Sequence, residues 1–332
     1  MRQLIALILL VFLCTSVPLS QTADQDDVIR VETDITNLPF TAIDKERRFI
    51  TTLRAEDVRV LEDGVPQQVF TFQRETDRPL AIAFLIDVSR SQEFTLPDEK
   101  AAARSFIENV FQSSRDLVAI IPFTGLAYVE QEMTRDVLSV YKVLQRVEVA
   151  LPAYLGSGRP LTGIPTGPGL LAPPEEGTTA IWDAVALTSS NILAKTPGLR
   201  RRAIILLSDG HDTTSRLAKA DAVNGTLGAE AVIYVIGIGN NKYEGVDKGA
   251  LRDLAQRTGG RAFFPDKKFD LTAAFAEIEK ELRTQYLIAY SSTNKRRDGS
   301  YRKVTIEITN PELRKEKLEL RHRPGYFARP AA

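Results

Sequence analysis

The sequence predicts an α/β fold: a doubly wound, mainly parallel sheet with a smaller β-sandwich-like domain built from the two flanks of the chain. Three short and mainly apolar segments, at residues 81–86, 202–208 and 231–238, each end at a polar residue or a glycine. Such runs are typical of buried strands in the middle of a parallel sheet. Segments of helical periodicity separate them, and the flanks are rich in β-forming residues. A length of 332 residues allows one large domain or two ordinary ones.

Composition allows a real core and argues against polyanionic partners. Apolar residues make up 43% of the chain, and the 43 basic residues equal the 43 acidic ones. A net charge of zero creates no field that would attract nucleic acid or an anionic membrane surface. We therefore expect no nucleic-acid partner.

Residues 1–20 have the pattern of a secretory signal peptide. A short positive start precedes an uninterrupted apolar run at residues 4–13, and small or polar residues follow. The run is too short for a spanning helix, so we expect export to the periplasm or the cell exterior and no transmembrane span in the mature chain. The alternative is a buried N-terminal helix. The single cysteine, Cys14, lies in this segment, so the mature chain would carry no disulfide.

The N-terminal flank, residues 28–78, is expected to be a β segment. An Asp63-Gly64 pair lies between β-rich runs at 57–61 and 68–72, which is a strong hairpin signal. The C-terminal flank, residues 284–327, contains further strand patterns at 285–291, 301–309 and 317–322. We expect its strands to complete the sheet begun by the N-terminal flank.

Residues 79–283 alternate strand and helix patterns and should form the α/β unit. Residues 127–130 are expected to pair back antiparallel after the strand at 117–123. The Gly- and Pro-rich stretch 150–176 reads as a long loop, which is either a functional binding loop or a disordered insertion. Apolar periodicity predicts helices at 98–112, 137–147, 181–193 and 271–283.

Five oxygen-bearing residues mark a candidate metal site. Asp87, Ser89 and Ser91 follow the first apolar strand, Thr179 opens a helix, and Asp209 ends the second apolar strand. In a doubly wound sheet, these segments arrive at the same edge. Carboxylate and hydroxyl oxygens are hard donors that suit Mg²⁺, and also Mn²⁺ or Ca²⁺. The structural alternative is that these residues only cap turns and helices, as Asp and Ser often do.

These motifs resemble the metal-ion-dependent adhesion site of von Willebrand factor A (VWFA) domains. The resemblance rests on Asp87-Val-Ser-Arg-Ser91, Gly177-Thr-Thr179 and Ser208-Asp-Gly210, and it covers roughly residues 79–283. It implies that the serines and the threonine contact the metal directly or through water, that the aspartates contact it or hold its waters, and that an acidic side chain of a protein partner completes the coordination. The flanks resemble those of bacterial exported VWFA-related proteins. Arg90 departs from the small residue usual in the family.

Three functions are compatible with this pattern. The first is a divalent-cation-dependent protein-binding or adhesion module without enzymatic activity. The second is a metal-independent scaffold for envelope assembly. The third is a metal-dependent phosphohydrolase that uses Asp87 as nucleophile, although no nucleophile, base and orienting group are recognisable as a set.

Overall fold

A computed structural model of the protein describes most of the chain beyond its N-terminal segment. The predicted signal peptide, most of the strand pattern that begins at residue 28, and nearly all of the loop 150–176 lie outside the described residues. These are 35–74, 78–112, 114–150, 159–161, 178–198, 200–239, 245–266 and 268–328.

Within these residues the chain forms sixteen strands and seven α-helices. The strands, β1 to β16, are Ile35–Ile43, Val58–Glu62, Val65–Gln67, Val69–Arg74, Leu80–Asp87, Leu117–Phe123, Tyr128–Val129, Gln131–Thr134, Arg159–Pro160, Arg201–Ser208, Ala231–Gly237, Ala262–Phe263, Tyr286–Ser291, Tyr301–Ile308, Glu319–His322 and Gly325–Phe327. The helices, α1 to α7, are Leu96–Val110, Val137–Arg146, Ile181–Thr188, Lys219–Gly228, Lys248–Thr258, Lys268–Arg283 and Pro311–Glu316. None of the helices in this part of the chain is both long and apolar enough to cross a membrane.

The central sheet confirms the predicted fold class. Its strand order is β12-β11-β10-β5-β6-β8, with every pair parallel except β6 with β8. Helices α1, α2 and α6 bury their apolar stripes against one face, and α3, α4 and α5 cover the other. Covering both faces explains why β5 and β11 are buried along their whole length and β10 at every position except the partly buried Arg202, and why their central residues read as continuous apolar runs.

The antiparallel edge of this sheet lies further along the chain than expected. The prediction that residues 127–130 return beside β6 is right in part: Ala127 forms an antiparallel bridge with Phe123, and the Glu130 N–H donates to the Ile120 carbonyl at 3.1 Å. Between these two points, β7 (Tyr128–Val129) pairs with β9 (Arg159–Pro160) instead. The strand that returns antiparallel to β6 is β8, Gln131–Thr134.

Strands from both flanks form two antiparallel sheets. One has the order β15-β1-β13-β4 and the other β16-β14-β2-β3, so each contains strands from before and after the α/β unit. One apolar core is shared by the two sheets, with Leu38 and Phe40 from β1, Val60 from β2, Ile288 from β13 and Val304 from β14. The flanks thus build the smaller sandwich-like part of the predicted fold class.

The predicted hairpin is correct in its turn and wrong in its second strand. Asp63 and Gly64 both have positive φ, at 49° and 81°, as a type I′ turn requires. The turn joins β2 to the three-residue strand β3, with Glu62 opposite Val65. Strand β4, which the sequence suggested as the partner, instead pairs with β13 in the other sheet.

Glu62 holds the sandwich together from inside. Although only 2% exposed, its carboxylate accepts hydrogen bonds from the hydroxyls of Tyr290 at 2.9 Å, Tyr326 at 2.8 Å and Ser292, and from Arg302 Nη1 at 3.3 Å. All four donors come from the C-terminal flank, whereas Glu62 ends β2. A buried carboxylate is tolerated because these donors replace its hydration.

Asp116 ties together the two ends of the α/β unit. This buried carboxylate accepts a hydrogen bond from the Leu80 N–H at the start of β5, at 2.8 Å. Its other oxygen accepts from Arg283 Nη2 at the end of α6, at 3.3 Å, and from the Gln112 N–H at 3.0 Å. The chain therefore enters and leaves the unit at neighbouring points.

We expect Glu62→Ala to lower the free energy of unfolding by about 3–5 kcal/mol, because it leaves the buried Arg302 guanidinium without its counter-charge. Urea denaturation followed by circular dichroism measures the loss. The matched control is Glu307→Ala, which breaks the exposed 2.6 Å ion pair with Arg59 and should cost about 0–1 kcal/mol. Equal losses in the two variants would contradict the role assigned to Glu62.

Candidate metal centre

The carboxyl ends of the two central strands bring Asp87 and Asp209 together. Strands β5 and β10 are parallel and in register, with Leu207 opposite Ile86, so the residues that follow are level with each other. Ser208 Oγ donates a hydrogen bond of 2.7 Å to Asp87 Oδ2 across the two strands. Asp87 is 0% and Asp209 4% exposed. The sheet thus places two carboxylates at one buried point of its edge.

The two serines lie on a tight turn directly after Asp87. The Ser89 N–H donates to Asp87 Oδ1 at 3.0 Å, and residues Arg90–Gln92 form a 3₁₀ turn. This turn brings Ser89 Oγ and Ser91 Oγ to 3.0 Å from each other. Adjacent oxygens around an octahedral Mg²⁺ with bonds of 2.0–2.1 Å are separated by about 2.9 Å. The hydroxyl pair therefore has the spacing that such a cation demands.

Gln92 links this turn to Asp209, and its role was not foreseen from the sequence. It is 0% exposed, and its Nε2 donates to Asp209 Oδ2 at 3.2 Å and lies 3.4 Å from both Ser91 Oγ and the Ile238 carbonyl oxygen. An amide nitrogen has two hydrogens, so these three contacts share them. Gln92 fixes the Asp209 carboxylate relative to the serine turn.

Thr179 is held between the loops that follow β6 and β10. Its carbonyl accepts from the N–H groups of Thr213 at 2.8 Å and Thr214 at 3.1 Å, and the Ala180 N–H donates to the Thr124 carbonyl at 2.7 Å. The Thr179 N–H donates to Thr213 Oγ1 at 2.8 Å. Thr179 itself is 4% exposed. Thr179 therefore lies next to loops that leave the carboxyl edge of the sheet, and it is anchored there through its backbone.

Asp212 explains why the helix after Thr179 starts where it does. Its Oδ1 accepts hydrogen bonds from the backbone N–H groups of Ile181, at 2.7 Å, and Trp182, at 3.3 Å. These are N–H groups of the first turn of α3, which have no partner inside the helix. Asp212 therefore fixes the start of α3, and we do not count it among the candidate metal ligands.

The two carboxylates oppose each other electrostatically. Burial, followed by the charge of Asp209, raises the pKa of Asp87 to about 7. Hydrogen bonds from Ser89 and Ser208 act in the opposite direction and are too weak to cancel this rise. A cation at this point would offset both the burial and the repulsion.

Glu99 is a second residue near these side chains that was not foreseen from the sequence, and it carries a carboxyl group. It lies on α1, is 1% exposed, and neither of its oxygens has a hydrogen-bond partner of normal geometry. The Thr95 hydroxyl, one turn earlier, donates to Gln92 Oε1 at 2.9 Å instead. Burial, aided by the charges of Asp87 and Asp209, raises the pKa of Glu99 to about 8. Its burial therefore favours the uncharged form of Glu99.

The donor set fits a hard divalent cation better than a transition metal. The described residues contain no group of three or more His, Cys, Asp or Glu that could hold a metal ion, so carboxylates alone would not complete a shell. Hydroxyl oxygens must contribute, as the spacing of Ser89 and Ser91 allows. Mg²⁺, Mn²⁺ and Ca²⁺ accept such oxygens and retain waters. The residues that would hold the ion are Asp87, Ser89, Ser91, Thr179 and Asp209.

An open, mainly parallel sheet covered by helices on both faces, with an Asp-x-Ser-x-Ser turn at its carboxyl edge, places the chain among the doubly wound α/β proteins. The strand order, the single antiparallel edge strand and the order of the three motifs fit a VWFA-like protein. No protein-family model matches the sequence, and no curated protein gives a significant match.

Several solved structures are similar to the chain at low sequence identity. The conserved hypothetical protein BatB from Bacteroides thetaiotaomicron is 18% identical with a TM-score of 0.45, covering 62% of this chain and all of BatB. The von Willebrand factor type A protein from Catenulispora acidiphila is 13% identical with a TM-score of 0.48, covering 91% of this chain and 75% of that one. Proximal thread matrix protein 1 from the mussel byssus, with a zinc-occupied MIDAS motif, is 16% identical with a TM-score of 0.49, covering 67% of this chain and 50% of its own length.

We expect Glu99 to make the metal-free protein less stable as the pH rises. Its pKa is about 8 in the folded state and 4.5 in an ordinary glutamate. Between these values the unfolded chain releases the proton while the folded chain keeps it, so stability falls by up to ~1.4 kcal/mol per pH unit. Glu99→Gln removes this contribution and should flatten the profile of unfolding free energy between pH 5 and 8, measured with a chelator present.

The control for this prediction is Glu108→Gln on the same helix. The Glu108 side chain is 47% exposed, and its replacement should leave the pH profile parallel to that of the wild type. A Glu99→Gln profile that is also parallel to the wild type would contradict the assignment of a raised pKa to Glu99.

Proposed function

We propose that this chain is an exported protein-binding module that holds a divalent cation at its sheet edge and captures an acidic group of a protein partner. The cation would be Mg²⁺, or Mn²⁺ or Ca²⁺, held by Asp87, Ser89, Ser91, Thr179 and Asp209. The observation that carries the proposal is the 3.0 Å separation of the two serine hydroxyls beside two buried aspartates that repel each other.

The composition of this donor set favours ligand capture. Three of the five proposed donors are uncharged hydroxyls, so the set carries at most two negative charges. It would therefore repel an incoming carboxylate less than a site made of three or four carboxylates. This difference supports a role in binding an acidic partner.

The position of Asp87 argues against phosphoryl transfer as the main activity. Asp87 is 0% exposed, and both of its oxygens accept hydrogen bonds, from Ser208 Oγ and from the Ser89 N–H. A nucleophile must reach the phosphorus atom of a substrate, whereas the Asp87 carboxylate is buried. The environment of Asp87 suits a group that orients a cation and its waters.

Exposed side chains around the site suggest how a partner would be recognised. Arg90, between the two serines, is exposed, and a second acidic group of the partner could pair with it. Phe94 is 55% and Leu126 39% exposed, and they lie on the loops after the neighbouring strands β5 and β6. Exposed aromatic residues beside a polar anchor are common energetic centres of interfaces.

The remaining parts of the proposal concern location and organisation. Residues 1–20 have the composition of a signal peptide, and one similar structure is of an aerotolerance-related membrane protein from Bacteroides fragilis. We propose an envelope or extracellular location with a binding domain at 79–283. The flanking segments 28–78 and 284–327 would pack together as its base.

We expect Mg²⁺ to stabilise the full chain against heat. A cation at 100 times its dissociation constant adds about 2.7 kcal/mol to the free energy of unfolding. Differential scanning fluorimetry with Mg²⁺, Mn²⁺ or Ca²⁺, each compared with a chelator, measures the shift in Tm. Asp87→Asn and Ser91→Ala should each abolish the difference between the two conditions.

The matched control for the metal experiment is Ser139→Ala. The Ser139 hydroxyl bonds to Asp136 at the start of α2, at the opposite edge of the sheet, so this variant should keep the full shift. A wild-type Tm that no divalent cation changes would overturn the proposal. A Tm shift that persists in both site variants would show that the cation binds at another site.

Partner capture should depend on the same ion and on Phe94. In affinity capture from an envelope fraction, proteins retained by the wild type should be lost with chelator and in Ser91→Ala. Phe94→Ala should weaken retention roughly tenfold or more, as truncation of an interface aromatic does, while the Mg²⁺-dependent Tm shift stays intact. Capture that is equal with and without chelator would favour the metal-independent scaffold.

A further inference from the structure

A second candidate site lies at the opposite edge of the central sheet. A cavity of about 390 Å³ separates the end of α4 from the sandwich, and its walls include Asn224, Leu227, Glu230, Arg302 and Arg323. Glu230 directly precedes β11, so this is the edge where the parallel strands begin. The volume is in the range of small-molecule sites, about 300–1,000 Å³. The candidate metal centre lies at the other end of the same strands, so the two sites are separate.

Basic side chains predominate in this cavity. Five basic residues line it, Lys295, Arg296, Arg297, Arg302 and Arg323, whereas Glu230 is the only acidic residue among its described lining residues. The charge of Arg302 is balanced by the Glu62 carboxylate, at 3.3 Å. The other four basic residues share the cavity with a single carboxylate. The cavity is therefore electropositive although the chain as a whole carries no net charge.

Two guanidinium groups on the cavity wall keep unused hydrogen-bond donors. Arg302 is 4% exposed and donates from Nη1 to Ser292 Oγ at 2.8 Å and to the Asn294 carbonyl at 2.7 Å. Arg323 donates from Nη2 to the Asn37 carbonyl at 2.8 Å. The Nε atoms of both arginines are buried without a hydrogen-bond partner among the described residues. An unpaired buried donor is costly, so a small shift of either guanidinium that brings its Nε–H to an oxyanion in the cavity would be favourable.

An unused acceptor lies on the same wall. Asn224 Oδ1 is buried and has no hydrogen-bond partner among the described residues. Because this oxygen can only accept, a hydroxyl in the cavity would satisfy it once the Asn224 side chain turns toward that hydroxyl. Leu227 and the half-exposed rings of Tyr326 and Phe327 supply apolar surface beside it.

We propose that this cavity binds a small hydroxylated organic anion, such as a sugar acid or a phosphorylated polyol. Its carboxylate or phosphate lies against Arg302, Arg323, Lys295 and Arg296, and one of its hydroxyls donates to Asn224. Guanidinium groups favour such oxyanions because their N–H groups match two oxygens at once. The acceptor on Asn224 selects hydroxylated anions over simple inorganic ones.

Isothermal titration calorimetry of the full chain tests the proposal. The probes are glucuronate, glycerol 3-phosphate and inorganic phosphate, each titrated at constant ionic strength set with sodium chloride. A chelator is present throughout, so the outcome does not depend on the candidate metal centre. We expect saturable 1:1 binding of at least one hydroxylated probe, and the preferred one distinguishes a carboxylate from a phosphate ligand.

The double variant Lys295→Gln/Arg296→Gln should weaken binding about tenfold or more. Both side chains are exposed, and Arg302 is supported by the backbone carbonyl of Arg296, so the variant keeps the interior of the sandwich. The matched control is Lys45→Gln/Arg146→Gln, which removes the same charges at exposed positions outside the cavity lining. Binding of the control should equal that of the wild type.

The variant Asn224→Ala distinguishes binding in the cavity from general attraction of anions to a positively charged surface. It should weaken the binding of the hydroxylated probe and leave that of inorganic phosphate unchanged. Absence of saturable binding for glucuronate and glycerol 3-phosphate would overturn the proposal. Equal loss in the two double variants would also overturn it, because the charge of the whole surface, rather than the cavity, would then be responsible.

Discussion

The hydrogen bond from Ser208 to Asp87 is the interaction on which the candidate metal centre depends. It joins the ends of the two central strands at 2.7 Å and exists only because β5 and β10 are adjacent, parallel and in register. With Asp87 fixed in this way, its other oxygen orients the Ser89 N–H, and the following 3₁₀ turn brings the two serine hydroxyls together. Burial of the pair in a sheet covered on both faces then raises the pKa of Asp87. The same burial that stabilises the sheet thus disfavours the charged form of Asp87.

Much of the site could be predicted because its geometry follows from the sheet. Apolar runs identify the strands, and parallel strands place their carboxyl ends at one edge, so Asp87, Thr179 and Asp209 could be expected there. Gln92 and Glu99 could not, because their roles depend on side-chain directions within a tight turn and a helix. Helices α4 and α5 were also not predicted. In α4, glycines at 225 and 228 lower the helix propensity, and packing of Ala222, Val223 and Leu227 on the sheet stabilises the helix instead.

The pairing of strands in the sandwich could not be predicted from the sequence. The strand patterns of both flanks are visible in the sequence, but which strands pair is decided by contacts between residues more than 200 positions apart, such as Glu62 with Tyr290, Ser292 and Arg302. One local signal existed: Val58, Val60 and Glu62 alternate onto one face of β2, which places a carboxylate among apolar residues. Identifying its partners required the fold. The assignment of β4 to the wrong partner has the same cause, since two β-rich runs beside a turn do not reveal that they belong to different sheets.

The hydrogen bonds of Asp116 to Leu80 and Arg283 reduce the entropy that is lost when the sandwich strands pair. Pairing of Arg74 with Tyr286 in an unfolded chain would close a loop of more than 200 residues, and the entropy lost on closing a loop grows with the logarithm of its length. In the folded α/β unit, Asp116 bonds to both Leu80 and Arg283, so the loop left to close consists of the few residues that connect these positions to β4 and β13. Once the inserted α/β unit is folded, the effective loop between β4 and β13 is therefore short. Ordering of the inserted unit brings the two halves of the sandwich close enough for their pairing to be nearly local.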